Sequence, residues 1–93
     1  MEFEWDLEKE KVNLKKHGIS FSYASLIFNG IVLTKHDDRF FDEHREISLG
    51  DVDGVSVLVV VHVDRNDKIR IISARKATQN ERRIYYDFIK KCN

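Results

Sequence analysis

The 93-residue sequence has no proline, only four glycines and one cysteine, and no apolar run near the roughly 18 residues that cross a bilayer. Each shortage excludes something. Cys92, next to last, can form neither an internal disulfide nor a cysteine-based zinc site, so a reducing, cytoplasmic setting with no membrane partner is expected. Without proline or a Gly/Ser-rich stretch there is no linker, and residues 1–93 are expected to form a single domain. The opening MEFEWDLEKEK lacks a basic region followed by an apolar one, so no signal peptide is expected. The glycines form no phosphate loop and no dinucleotide fingerprint, and no cofactor is expected. His17, His36, His44 and His62 show no helical i, i+4 pair and no ligand motif, so no metal site is expected either.

What the chain does have is charge, evenly balanced overall and unevenly placed. Sixteen basic residues match sixteen acidic ones. Between Arg65 and Arg83, however, seven basic residues face two acidic ones, and between Asp37 and Asp53 the ratio is reversed. A local basic surface on a neutral protein suits a binder of phosphate backbones, because cations that neutralise phosphates supply most sequence-independent affinity. The bland alternative is a solvated face with its acids elsewhere. The two segments are expected to lie side by side in a sheet and offset each other's field.

Local signals give the elements in order. Asp6 caps a first helix that Gly18 closes, with Leu7 and Leu14 on its expected core side and Lys9, Asn13, Lys16 and His17 on another. Ser20 caps a short, apolar second helix over Phe21 to Phe28. Ile31 to Thr34 reads as a short strand and Lys35 to Glu43 as a loop. Arg45 to Gly50 and Val55 to Val63 form a hairpin around Asp53-Gly54, the odd-numbered valines of the second strand facing the core. Asp64 to Asp67 turns the chain into a strand from Lys68 to Arg75, and this register would place His62 and Arg70 on one outward face. Thr78 and Glu81 form a capping box for a last helix whose apolar stripe is Ala77, Ile84, Tyr85, Phe88 and Ile89. The expected fold is α+β: two N-terminal helices, a four-stranded antiparallel sheet and a C-terminal helix.

Lysines, arginines, histidines and glutamates without a metal can cleave RNA, because RNA carries its own nucleophile. One group accepts the 2′-hydroxyl proton, cations stabilise charge at phosphorus, and a donor protonates the leaving oxygen. DNA lacks that hydroxyl.

The whole pattern is more specific than its parts. Trp5-Asp6 is followed by Lys9, Asn13 and the run Lys16-His17-Gly18-Ile19-Ser20-Phe21; Arg45 stands five residues before Gly50; then come Ile69 to Ala77 (IRIISARKA), Glu81-Arg82 and Tyr85. This resembles the BrnT toxin family over nearly the whole chain. The resemblance implies a RelE-like fold and a metal-independent endoribonuclease that stops translation. It also implies a BrnA-like antitoxin as partner, with operator DNA bound only through the toxin–antitoxin complex. By position it makes Lys16, His17, Glu43, Arg45 and Arg75 the candidate catalytic residues. Arg75 and Arg45 would serve as phosphate and transition-state cations, and Glu43 or His17 would carry protons. Lys9, Arg70 and Lys76 would hold the RNA backbone. His44 stands where the family often has an acid, and Asn66 replaces the usual turn glycine. Two other readings are open: Arg75 as an ion pair to Glu81 or Glu43, and the whole domain as a non-catalytic module of the same fold that binds antitoxin or DNA in operon autoregulation.

Overall fold

The computed structural model describes residues 1–39 and 44–92. Its elements are β1 (Glu2–Trp5), α1 (Leu7–His17), α2 (Phe21–Ala24) running into a 3-10 helix (Ser25–Asn29), β2 (Leu33–His36), β3 (Arg45–Val52), β4 (Ser56–Arg65), β5 (Lys68–Lys76) and α3 (Gln79–Cys92). The sheet order is β1-β5-β4-β3-β2. β1 runs parallel to β5 and every other neighbour is antiparallel. The fold is therefore α+β with a five-stranded mixed sheet, one strand more than the expected four antiparallel ones. The second helix is α-helical for four residues only.

Helix ends and turns follow their local chemistry. The Asp6 carboxylate accepts from the Glu8 and Lys9 backbone amides at 2.8 and 3.1 Å, and Gly18 closes α1 in the left-handed conformation at φ 72°. The Ser20 hydroxyl caps α2 through the Tyr23 amide. Thr78 and Glu81 cap each other reciprocally at 3.2 and 2.8 Å. Asp53-Gly54 and Asn66-Asp67 all adopt positive φ, the two-residue turn geometry whose twist matches a right-handed hairpin. The second turn has no glycine at all, and Asn and Asp tolerate the conformation.

The core lies mainly on one face of the sheet. Val52, Leu58, Val60, Ile71 and Ala74 pack there against Ile19, Phe21, Ala24 and Ile27, with Phe3, Trp5 and Phe28 around the margin. Phe21, Ile27, Leu58 and Ile71 are fully buried, worth about 2 kcal/mol each in transfer free energy. This is the even-numbered face of β4, so the expectation that the odd valines face the principal core is corrected. Those valines, Val57, Val59 and Val63, are buried on the opposite face, where α3 supplies partial cover. Tyr85 anchors α3, buried and donating its hydroxyl to the Ile31 carbonyl at 2.6 Å. Ile84, expected in the apolar stripe, is 47% exposed.

α1 inverts its sequence reading. Leu7 and Leu14 are exposed, and the buried residue is Asn13. Its amide nitrogen donates to the carbonyls of Ile19 and Ala74 at 2.9 Å each, and its oxygen accepts from the Ala74 amide at 3.1 Å. β1 pairs with β5 only as far as Ile71. Beyond that point the Asn13 side chain stands in for a strand, satisfying edge groups that would otherwise be buried unpaired.

A register shift between Val61 and His62 leaves Ile72 as an extra residue in β5, opposing His62 to Ile71 and Val63 to Arg70. His62 thus faces the core, 3% exposed, with its ring edge-on to Phe28. Arg70 lies on the other face, which overturns the shared outward face expected for the two. Burial pushes the His62 imidazole below its usual range, and its Nε2 sits 2.7 Å from Ser48 Oγ, itself 2.7 Å from Thr34 Oγ1. The acidic and basic segments are also not neighbours: β3 and β5 flank β4.

Candidate active face

The site is built on the sheet face only partly covered by α3. Register places three cross-strand rows there. The first holds Leu33, Leu49, Val59 and Arg75; the second Lys35, Ile47, Val61 and Ser73; the third Arg45, Val63, Arg70 and Glu4. The Asp37 amide extends the third row by donating to the Arg45 carbonyl at 2.8 Å. Glu81 and Ile84 of α3 close over Leu33, Ile47 and Leu49.

Arg45, Arg70 and Arg75 therefore share one face. Arg45 and Arg70 flank Val63 from the two neighbouring strands, about 10 Å apart at their backbones, and Arg75 lies five residues further along β5, four ladder steps because Ile72 is the extra one, about 13 Å away. Ser73 stands between Arg70 and Arg75 on β5. It also lines a groove of about 340 Å³ between α1 and β5, together with Lys9, Asn13, Lys16, His17 and Ile72. The Asn13–Ala74 hydrogen bonds fasten α1 at this edge and so hold Lys9, Lys16 and His17, all exposed, beside Ser73.

Arg75 and Arg70 each meet an acidic side chain. Arg75 makes a bidentate pair with Glu81, at 2.8 and 2.9 Å. That pair, with the Thr78 amide, lowers the Glu81 pKa to about 2. Arg70 lies 3.9 Å from Glu4. Lys76 is not brought to this face: it opposes Leu58 at the end of β5 and lines a separate hollow with Ser56 and Arg82. Glu43 lies outside the described residues. Sequence reasoning overlooked Ser73 and Lys35 as members of the face. The alternation along β5 and β2 carried that signal, but in β5 the bulge at Ile72 interrupts it.

The ribonuclease toxin family BrnT, of type II toxin–antitoxin systems, matches residues 5–81. The chain belongs to the BrnT family. An RNA target and an antitoxin partner go with that membership. The 1.1 Å crystal structure of the Brucella abortus ribonuclease toxin BrnT is similar in fold: TM-score 0.64, 24% identity, covering 85% of this chain and 99% of that one. Comparison with curated proteins gives no match. The BrnT match runs from Trp5 to Glu81 and so includes α1, all three arginines of the open face and the first turn of α3.

Proposed function

We propose that this BrnT-family chain, acting as one domain with a RelE-like mode of action, cleaves RNA without a metal ion on the arginine face and the adjoining α1–β5 groove. The observation that carries the reading is the placement of Arg45, Arg70 and Arg75 on one open face, with Ser73 linking it to Lys16 and His17. Arg45 and Arg75 stabilise the extra negative charge on phosphorus, while Lys9, Lys16 and Arg70 position the backbone. His17, or Glu43, takes the proton from the 2′-hydroxyl. That oxygen bonds to phosphorus as the bond to the 5′-oxygen breaks, and the departing oxygen is protonated. The products are a 2′,3′-cyclic phosphate and a 5′-hydroxyl end. In the same proposal a BrnA-like antitoxin neutralises the activity in the cytoplasm and supplies the operator DNA contacts of the complex.

Purified protein added to end-labelled RNA in EDTA tests this. Cutting should persist without divalent ions and fall about 100-fold or more in Arg45→Ala and Arg75→Ala, with circular dichroism confirming that each variant is folded. Cutting that needs a divalent ion, or that both variants retain, overturns it. The bidentate Arg75–Glu81 pair favours a second reading, a non-catalytic module whose face receives the antitoxin. Intact RNA together with tight antitoxin binding would establish that alternative.

A further inference from the structure

On the opposite side of the sheet from the arginines, Glu46, His62 and Asp64 each bring one potential ligand atom within 4.8 Å of the others. Glu46 pairs with His62 across β3 and β4, and Asp64 follows His62 by two residues on the same face. His62 is 97% buried by its 3% exposure, and its Nδ1 is the one buried side-chain polar atom without a hydrogen-bond partner among the described residues. A buried polar atom left without a partner is costly and calls for a role.

We propose that Glu46, His62 and Asp64 form a binding site for a borderline divalent cation of the zinc class, held through His62 Nδ1 and one oxygen of each carboxylate. Two carboxylates cancel the charge of one divalent ion, and an imidazole in the set selects zinc over magnesium or calcium. The other ring nitrogen already has its outer support. Nε2 lies 2.7 Å from Ser48 Oγ, which is itself 2.7 Å from Thr34 Oγ1. This contact fixes the ring, and in the proposed site Nε2 carries the proton toward Ser48 while Nδ1 offers its lone pair, the arrangement that orients metal-binding histidines. His62 is the rigid member, packed edge-on against Phe28. Asp64 is exposed and Glu46 only half-buried, so both can close by rotation from the 4.8 Å spread to about 3.5 Å, as bonds of about 2.1 Å require. A fourth position is open to water. The site clips the start of β3 to the end of β4 on the sheet face opposite the proposed cleavage face, so its role is to stabilise the fold rather than to act on RNA.

The test uses the full chain carrying Cys92→Ser, stripped with EDTA and dialysed. Zinc titrated by calorimetry should bind one to one, and thermal unfolding should shift upward by about 5 °C or more at saturating zinc. Magnesium and calcium at the same concentration should shift nothing. Glu46→Gln and Asp64→Asn keep the side-chain shape and should unfold normally without zinc, yet lose tenfold or more in zinc affinity. His44→Gln, which removes half of the surface pair of His36 and His44 rings 4.5 Å apart, should leave binding unchanged. No zinc-dependent shift overturns the proposal, as does binding that survives both carboxylate variants or that His44→Gln abolishes. No readout involves RNA, so failure here leaves the ribonuclease reading standing, and failure of that reading leaves this site intact.

Discussion

The side-chain amide of Asn13 occupies both hydrogen-bonding groups of Ala74, accepting from its N–H at 3.1 Å and donating to its carbonyl at 2.9 Å. One residue thereby ends the exposed edge of β5 and fixes where α1 stands. Asn13→Ala leaves two buried backbone groups of β5 unpaired, and should lower stability by about 3 kcal/mol in urea unfolding. Asn13→Asp should be at least as damaging, because a carboxylate cannot donate to the Ile19 and Ala74 carbonyls.

Acid should weaken the fold through Glu81 and Asp37. The Arg75 guanidinium hydrogen-bonds Glu81 and brings its pKa from 4.5 to about 2, and the Arg39 guanidinium brings Asp37 from 3.8 to about 2. Both folded-state values lie below the unfolded ones, so the stability they supply is complete above about pH 4.5 and is lost as pH falls toward 2. Glu81→Gln should flatten the acid limb of a stability-against-pH curve by about 1 kcal/mol, a figure reduced for the solvent screening of the part-exposed Arg75.

Gly50 is a packing glycine. A Cβ built there would meet Ile27 Cβ at 2.7 Å and Val32 Cγ1 at 3.1 Å. Because Ile27 Cβ is fixed to the backbone of the 3-10 helix, that segment must move. Gly50→Ala should cost about 2–3 kcal/mol in chemical denaturation, whereas ordinary glycine-to-alanine changes in strands stabilise.

Arg70 should separate binding from folding. Its contact with Glu4, at 3.9 Å near the surface, contributes less than about 1 kcal/mol. Arg70→Gln should therefore leave the melting temperature nearly unchanged while weakening RNA binding and reducing its dependence on salt by about one phosphate contact. Fluorescence anisotropy with a non-cleavable RNA at several salt concentrations measures both.

Leu14, 43% exposed, offers the converse check on α1. Leu14→Gln should change stability by no more than about 0.5 kcal/mol, where a core leucine replaced by a polar residue would cost several.

What could be read from residue order was the local chemistry. Asp6, Ser20 and the Thr78–Glu81 box announced their helices, and Asp53-Gly54 its hairpin, because each acts within four residues. β1 was missed although Glu2-Phe3-Glu4-Trp5 alternates cleanly, since four residues are too few to signal a strand whose partner is remote. Leu7 and Leu14 misled because periodicity ranks faces by apolarity, and α1 docks through one polar side chain at a sheet edge. The bulge at Ile72 is invisible to pattern, and it sends His62 inward away from Arg70. For the site, the family resemblance named Arg45 and Arg75, whereas simple alternation would set Arg70 and Arg75, five residues apart, on opposite faces. The bulge at Ile72 brings them to one face, and the reading of residue order neither brought in Ser73 or Lys35 nor removed Lys76.

β1 pairs in parallel with a strand whose first residue, Lys68, comes 66 positions after Glu2. As the chain is synthesised, β1 has no strand to pair with until β5 has emerged, and long-range pairing of this kind forms late and slowly. Arg70 and Arg75 are made at the same late moment. A nascent toxin thus stays incomplete until most of its translation is over, an interval in which the cell is spared its activity.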